Sequence, residues 1–304
     1  MIEVRGLRKN YGAKVAVDDL SFTVRSGQVT GFLGPNGAGK TTTMRMILGL
    51  DTPSAGIATV RGKRYVDLPR PMRTLGALID AKAVHPSRTA YNHLLCLAQS
   101  NGLPKRRVAE VLGIVGLDEV AGKRAGKFSL GMSQRLGIAG TLLGDPEVLM
   151  FDEPVNGLDP EGIRWIRQLM RRLAGEGRTV LVSSHLMSEM ALTADHLIVI
   201  GRGKLVADSS LRDFVEESSE RTVLVRTPFV DEFARLLLAN GADVRTDQAG
   251  VLIVSGMDSI EVGKLAAADG VVLAELTPQR TSLEEAFMEL TRDSVEYNVD
   301  EGVA

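Results

Sequence analysis

The 304-residue chain is poor in cysteine and histidine and has no long apolar run. Its one cysteine, Cys96, cannot form a disulfide within the chain, which favours a reducing compartment. Because Cys96 lies in the apolar stretch Tyr91–Ala98, we expect a buried core thiol rather than a nucleophile. Apolar runs such as Leu197–Ile200 are far shorter than the roughly 18 to 20 residues that cross a bilayer. Met1–Val4 also lacks the basic-then-apolar order of a signal peptide, so we expect a soluble protein unless a partner holds it at a membrane.

An excess of positive charge is missing as well. The chain has 36 Lys and Arg against 38 Asp and Glu, a net charge of −2. This balance gives no global electrostatic reason to expect nucleic acid as a partner. The length and the 44% hydrophobic content allow one large domain, or a large domain and a small one.

The first two thirds of the chain alternate short apolar runs with helical patterns. Val29–Leu33 leads through a glycine-rich turn into a predicted helix at Thr41–Leu50. Farther on, Val148–Phe151 and Thr179–Ser183 have the composition of buried strands and flank a predicted helix at Gly162–Ala174. Such alternation predicts an α/β fold with a parallel sheet covered on both faces. Residues of about 87–145 have apolar spacing that predicts mostly helix.

The composition changes near residue 209. We interpret residues 1–208 as one domain, 209–220 as a polar linker, 221–292 as a small C-terminal domain and 293–304 as a frayed acidic tail. The small domain has the β-α-β-β-α-β order of ferredoxin-like domains, followed by a last helix. Its predicted elements are Thr222–Arg226, Val230–Leu238, Asp243–Thr246, Val251–Val254, Ser259–Ala268, Val271–Glu275 and Ser282–Leu290.

The turn after Val29–Leu33 fits the phosphate-binding pattern G-x-x-x-x-G-K-[ST] without a mismatch. In this pattern the backbone N–H groups converge on phosphate oxygens, the lysine neutralises the β- and γ-phosphates, and the hydroxyl binds Mg²⁺. An ordinary glycine-rich turn is the alternative, but the preceding strand and following helix favour the phosphate-binding loop of a P-loop NTPase. The predicted nucleotide-binding residues are Gly34, Pro35, Asn36, Gly37, Ala38, Gly39, Lys40, Thr41 and the adjacent Thr42.

Two consecutive acids end the predicted strand Val148–Phe151. Asp152 is placed to reach the metal, as in the second motif of P-loop NTPases. Glu153 points elsewhere and can polarise the attacking water, a contribution of roughly 10²- to 10⁴-fold for a general base. The alternative is that both acids merely open the turn at Pro154.

Just upstream, Phe128–Arg135 resembles the signature loop of ABC ATPases, usually Leu-Ser-Gly-Gly-Gln. Ser129 and Gly131 match that pattern, whereas Phe128, Leu130 and Met132 depart from it. The resemblance implies that Ser129 and Gly131 meet the γ-phosphate of ATP. From the residues alone, Ser129 is equally a plain N-cap for a helix that begins near Gly131.

Three further positions carry the same resemblance. Asn156–Pro160 is similar to the D-loop of the family, and His185 occupies the place of its switch histidine. The family would use His185 to contact the γ-phosphate and Tyr11 to stack on adenine. The alternatives are a structural histidine at a strand end and a tyrosine packed on the surface.

One position departs from the family. Between Gly76 and Pro86, ABC ATPases usually place a glutamine that reaches Mg²⁺ and contacts the permease, and here that position is Asp80. A carboxylate is at least as good a Mg²⁺ ligand as an amide oxygen, but it is one methylene shorter. Asp80 is therefore either a third Mg²⁺-binding residue beside Thr41 and Asp152, or a plain loop residue.

The resemblance covers about residues 1–208 and implies an ABC ATPase domain with a parallel core, an antiparallel β subdomain and a helical subdomain. It implies ATP hydrolysis by two copies of the chain, bound to a separate integral membrane permease at the cytoplasmic face of the membrane. The small C-terminal domain and the signature loop resemble bacitracin- and daunorubicin-type drug exporters. The cargo stays open, because cargo contacts lie in the permease.

Three other members of the superfamily compete with this interpretation. ABC ATPases that act on DNA breaks have long coiled-coil arms, and this sequence has no sustained heptads. ABC proteins that act on ribosomes normally carry two cassettes in one chain, and here there is one. A degenerate regulatory subunit is disfavoured, because Lys40, Asp152, Glu153 and His185 are all present.

Overall fold

The computed structural model describes residues 1–81, 83–218, 221–247, 250–280 and Phe287, and the chain divides after Leu211 into two units. The strands of the first unit are β1 (Ile2–Tyr11), β2 (Lys14–Val24), β3 (Val29–Leu33), β4 (Ala55–Val60), β5 (Leu75–Leu78), β6 (Val148–Asp152), β7 (Thr179–Ser184), β8 (His196–Gly201) and β9 (Lys204–Ser210). Its helices are α1 (Lys40–Ile47), α2 (Pro71–Thr74), α3 (Ala90–Ser100), α4 (Arg106–Ile114), α5 (Leu130–Leu142), α6 (Pro160–Gly175) and α7 (Met187–Ala191).

The centre of the first unit is a six-stranded sheet in the order β5-β6-β7-β3-β8-β9. The first five strands run parallel, and β9 pairs antiparallel with β8. Every residue of β3 and β7 is buried, as expected for a sheet covered on both faces. The predicted parallel sheet is confirmed, and its carboxyl ends, including Asp152, share one edge.

A three-stranded antiparallel sheet, β2-β1-β4, shares a hydrophobic core with β3 and α1. Phe22 of β2 and Phe32 of β3 lie with their ring centroids 5.4 Å apart. Ile2 and Leu7 of β1 and Met44 of α1 are fully buried in the same core. The start of α1 is therefore fixed by packing from two sheets.

The predicted helical region contains α3, α4 and α5, which pack on one another. The Thr89 hydroxyl caps α3 by accepting the Asn92 N–H at 3.1 Å. Buried residues recur at helical spacing, for example Leu94 and Ala98 of α3 and Val108 and Val111 of α4. Cys96 of α3 is half-buried, so it lies at the margin of this core rather than inside it.

The prediction of a polar linker at 209–220 is wrong over most of its length. Ser209 and Ser210 pair with β8 as the end of β9, and α8 (Leu211–Ser218) follows at once. Ser209 and Ser210 resemble a linker because β9 is an edge strand, and an edge strand needs no continuous apolar run. The segment after them resembles a linker because α8 is rich in charged residues. Phe214 of α8 is 2% exposed, so this segment carries a buried anchor despite its charge.

The second unit has the predicted β-α-β-β-α-β order. Its elements are β10 (Arg221–Arg226), α9 (Val230–Ala239), β11 (Asp243–Thr246), β12 (Leu252–Ser255), α10 (Ser259–Ala268) and β13 (Glu275–Arg280). They form an antiparallel sheet in the order β11-β12-β10-β13. This is the ferredoxin-like arrangement, with Phe233 and Leu237 of α9 buried in its core.

One strand of this unit lies farther along the chain than predicted. We expected a strand at Val271–Glu275, but β13 begins at Glu275. Val271 N–H instead donates to Ala266 O at 2.8 Å and closes the end of α10. Polar residues and Pro278 make β13 hard to recognise as a strand from the sequence. The structure accommodates Pro278 because β13 is an edge strand, where proline is tolerated. The predicted helix Ser282–Leu290, apart from buried Phe287, and the tail 293–304 lie outside the described residues.

Candidate functional site

The loop between β3 and α1 packs closely against neighbouring backbone at two of its glycines. Gly39 has φ +101°, and a Cβ there would lie 2.6 Å from Ala16 O. A Cβ on Gly34 would lie 2.4 Å from Ile200 O. Only glycine fits at these two positions, and α1 presents its N-terminus directly after the loop.

Lys40 lies at the first turn of α1, and its side chain is only 7% exposed. Its Nζ donates to Gly34 O at 2.6 Å and to Pro35 O at 3.2 Å, so the ammonium group folds back into the loop. Burial lowers the pKa of Lys40, while the nearby Glu153 and Asp152 carboxylates oppose that shift. A buried ammonium group whose hydrogen bonds go to two carbonyl oxygens fits a polyanionic ligand in the same loop.

Asp152 ends β6 beside two hydroxyl groups. Thr41 Oγ1 donates to Asp152 Oδ2 at 2.7 Å, and Ser183 Oγ donates to Asp152 Oδ1 at 2.5 Å. Ser183 reaches the carboxylate because it lies opposite Asp152 in the pairing of β6 with β7.

A hydroxyl and a carboxylate are hard oxygen ligands, so Thr41 and Asp152 fit Mg²⁺. The described residues contain no group of three or more His, Cys, Asp and Glu side chains that could hold a metal by themselves.

Glu153 follows with its side chain aimed at His185. Both carboxylate oxygens lie 3.0 Å from His185 Nδ1, and Oε1 lies 4.0 Å from Lys40 Nζ. Glu153 is one fifth exposed and therefore open to a water molecule. Lys40, Thr41, Asp152, Glu153 and His185 thus lie together at the carboxyl edge of the sheet.

The predicted signature residues lie on a different element. Ser129 is exposed and caps α5, its Oγ accepting the Met132 N–H at 3.2 Å. A Cβ on Gly131 would lie 3.3 Å from Gly157 O, so the start of α5 packs closely on the Asn156–Pro160 loop. Ser129 accepts the N–H groups of Met132 and Ser133 in the first turn of α5, and the N-cap interpretation is therefore correct for the single chain.

Tyr11 ends β1, and 49% of its surface is exposed. Its hydroxyl donates to Asp51 Oδ2 at 3.0 Å, and Asp51 is also held by Arg45. The Lys9 ammonium group lies 5.0 Å from the ring centroid. One edge of the ring is therefore fixed, while the ring remains accessible for stacking.

Asp80 lies just beyond the carboxyl end of β5. Because Leu78 pairs with Phe151, this position is at the same edge of the sheet as Asp152. Asp80 also lines a groove of about 570 Å³ between this edge and the helical region. Asp80 therefore lies where the carboxyl edge of the sheet meets this groove.

Two residues of the site escaped the sequence analysis. Ser183 bonds both the Asp152 carboxylate and the Glu153 N–H, the latter at 3.0 Å. Gln134 Nε2 donates to Pro154 O at 3.0 Å and approaches Glu153 O at 3.4 Å. A signal existed for Ser183, because it precedes His185 at the end of a predicted parallel strand.

The fold and this edge define a P-loop ATPase. A family model described as "ABC transporter" matches residues 17–156, and models described as an AAA domain (putative AbiEii toxin) and a domain of unknown function match 122–191 and 221–284. The ABC transporter ATP-binding protein YhcH of Bacillus subtilis is 37% identical over 97% of both chains. The bacitracin transport ATP-binding protein BcrA of Bacillus licheniformis is 36% identical over 95% of this chain and 97% of its own.

Solved structures give the same result. An ATP-binding subunit of an ABC transporter superposes with a TM-score of 0.65 at 28% identity, covering 71% of this chain and 92% of its own. The chain belongs to the ABC transporter ATP-binding protein family. It is the nucleotide-binding subunit of an ABC transporter, and it binds and hydrolyses ATP.

Proposed function

We propose that two copies of this chain use Mg-ATP to drive export through a separate membrane permease, from the cytoplasmic face of the membrane. The observation that carries this proposal is the convergence of Lys40, Thr41, Asp152, Glu153 and His185 at one sheet edge. Export follows from relatives such as the bacitracin transport protein BcrA and a Nod factor export ATP-binding protein from Ralstonia nicotianae, 37% identical over 71% of this chain.

Each residue of the edge has a separate task in hydrolysis. The residues from Gly34 to Thr42 cradle the phosphates, with Lys40 neutralising their charge, and Tyr11 stacks on adenine. Thr41 and Asp152 would hold Mg²⁺, which would supply charge stabilisation to the phosphates. Glu153 accepts the proton of the attacking water, and His185 fixes the direction of the Glu153 carboxylate.

The second copy is needed to complete the site. The chain has one P-loop and one signature loop, and Ser129 bonds only within α5 in the hydrogen bonds described. Ser129 and Leu130 are exposed, so the start of α5 is available to another molecule. In this proposal Ser129 and Gly131 of one copy close over the ATP held by the other copy.

The groove beside Asp80 is the proposed docking site for a cytoplasmic segment of the permease. No helix of the described residues is long and apolar enough to cross a membrane. The groove is mostly apolar, with Met72, Leu97 and Leu136 in its lining. His93 also lines it, and its Nδ1 is buried without a hydrogen-bond partner among the described residues. An apolar helix with one polar group facing His93 fits these features, and Asp80 extends the groove to the catalytic edge.

Hydrolysis is tested with purified protein and the variant Glu153→Gln. The amide keeps the shape of the side chain but cannot accept a proton, so we expect ATP binding with ATPase activity lowered on the order of 10²-fold or more. Omission of Mg²⁺ should abolish activity in the wild type. A Glu153→Gln protein that hydrolyses ATP at the wild-type rate would remove Glu153 from the role of base.

Docking is tested by purifying the tagged chain from membranes of its native host and identifying the integral membrane protein that accompanies it. Leu97→Glu places a charge in the groove, so we expect it to lose that protein. Ile114→Glu is the matched control, because Ile114 is 38% exposed on α4 and does not line the groove. Retention of the membrane protein by Leu97→Glu would contradict docking in the groove.

A further inference from the structure

The backbone of Glu153 has an unfavourable conformation. Its φ is +47°, in the left-handed region that favours glycine. A residue with a side chain keeps such a conformation only when its surroundings enforce it. Groups that hold the peptide of Glu153 therefore also hold the direction in which its carboxylate points.

Two side chains hold the backbone before and after the Glu153 Cα. Ser183 Oγ accepts the Glu153 N–H at 3.0 Å. Gln134 Nε2 donates to Pro154 O at 3.0 Å and lies 3.4 Å from Glu153 O. Gln134 is 5% exposed, so its amide is committed to these carbonyl oxygens rather than to water.

Gln134 belongs to α5, the helix whose N-cap is Ser129. The helix is anchored again at the next residue. The Arg135 guanidinium group lies 4.7 Å from the ring centroid of Trp165 on α6, and its Nη1 donates to Val115 O at 3.1 Å. One rigid element thus carries Ser129 at its start and touches the Glu153 peptide just over a turn later.

We propose that Gln134 is a positioning residue that links the signature helix to Glu153 of the same chain. When Ser129 engages the ATP of the partner copy, any shift of α5 is transmitted through the Gln134 amide to the Glu153 peptide. Each copy thereby aligns its own base only when its signature loop is engaged. The inference rests on the proposed role of Glu153 as the base.

The test uses the full chain with Gln134→Met, which preserves length and removes the amide donor. We expect kcat for ATP hydrolysis to fall on the order of 10- to 100-fold, because the base loses its alignment, with KM and ATP affinity nearly unchanged. Gln134→Asn keeps an amide one methylene shorter, so its kcat should be intermediate.

Thr193→Val is the matched control. It removes another buried side-chain hydrogen bond, to Glu189 O at 2.8 Å, outside the catalytic edge, and should keep wild-type kcat.

A double variant separates positioning from a general structural role. If Gln134 acts through Glu153, adding Gln134→Met to Glu153→Gln should not lower the single-turnover rate further. A multiplicative loss, or loss of ATP affinity together with kcat, would overturn the inference. If Glu153→Gln is inactive and Gln134→Met has wild-type kcat, the inference fails and the proposed base stands. If Glu153→Gln itself is fully active, the proposed base fails first.

Discussion

At the scale of single residues, the site places a buried ammonium group, that of Lys40, beside a carboxylate that can act as a base, that of Glu153. Lys40 is buried, donates to two carbonyl oxygens and lies 4.0 Å from the Glu153 carboxylate. Glu153 is partly open to water and fixed by His185. In the proposed mechanism, binding depends on Lys40 and hydrolysis on Glu153, and these side chains lie 4.0 Å apart.

The role of Asp80 is the residue-scale prediction most specific to this sequence. If Asp80 is a metal-side residue that couples the permease to hydrolysis, Asp80→Ala should lower permease-stimulated ATPase activity more than ATP affinity. Asp80→Gln should retain much of that activity, because an amide oxygen can also bind Mg²⁺ or accept a hydrogen bond from Mg²⁺-bound water. ATPase assays of the complex, with ATP affinity measured in parallel, make the comparison. Full activity in both variants would make Asp80 a loop residue.

At the scale of elements, most strands and helices around the site were predictable from the sequence. The predicted strand Val29–Leu33 is β3 with the same bounds, because a strand buried on both faces is rich in apolar residues and carries no charge. Edge strands are harder to predict because they contain polar residues. The last two residues of β9 fall in the predicted linker, and β13 begins at Glu275 rather than at Val271. Gln134 was missed for another reason: its contact with Pro154 depends on how α5 packs, which local sequence does not encode.

Strand β3 also contains a buried hydroxyl group, that of Thr30, whose removal should stabilise the protein. Thr30 is fully buried, and its Oγ1 has no hydrogen-bond partner among the described residues. Thr30→Val removes the unpaired hydroxyl at nearly constant volume, so we expect about 1 kcal/mol of added stability. Thermal unfolding should show a Tm increase of about 2–4 °C for a unit of this size.

Thr193→Val provides the matched comparison for this effect. The Thr193 hydroxyl is equally buried but donates to Glu189 O at 2.8 Å, so its removal should lower the Tm. A decrease in Tm for both variants would mean that the Thr30 hydroxyl is satisfied in solution.

At the scale of the whole molecule, the division after Leu211 predicts that the first unit is separable. A fragment of residues 1–211 should fold and bind ATP. A fragment of residues 1–208 should be less stable, because Ser209 and Ser210 pair with β8 and Leu211 N–H donates to Asp195 O at 3.0 Å. Thermal unfolding and nucleotide titration compare the two fragments. Aggregation of the 1–211 fragment without ATP binding would contradict two separable units.

The central claim is that ATP joins two copies of this chain and that Glu153 releases them by hydrolysis. The most direct measurement is the mass of the Glu153→Gln protein by size-exclusion chromatography with light scattering. Without ATP we expect the 32.7 kDa single chain, and with Mg-ATP a stable species of twice that mass. Ser129→Arg in the same background should abolish the dimer and preserve ATP binding. A Glu153→Gln protein that binds Mg-ATP and remains a single chain would contradict the account.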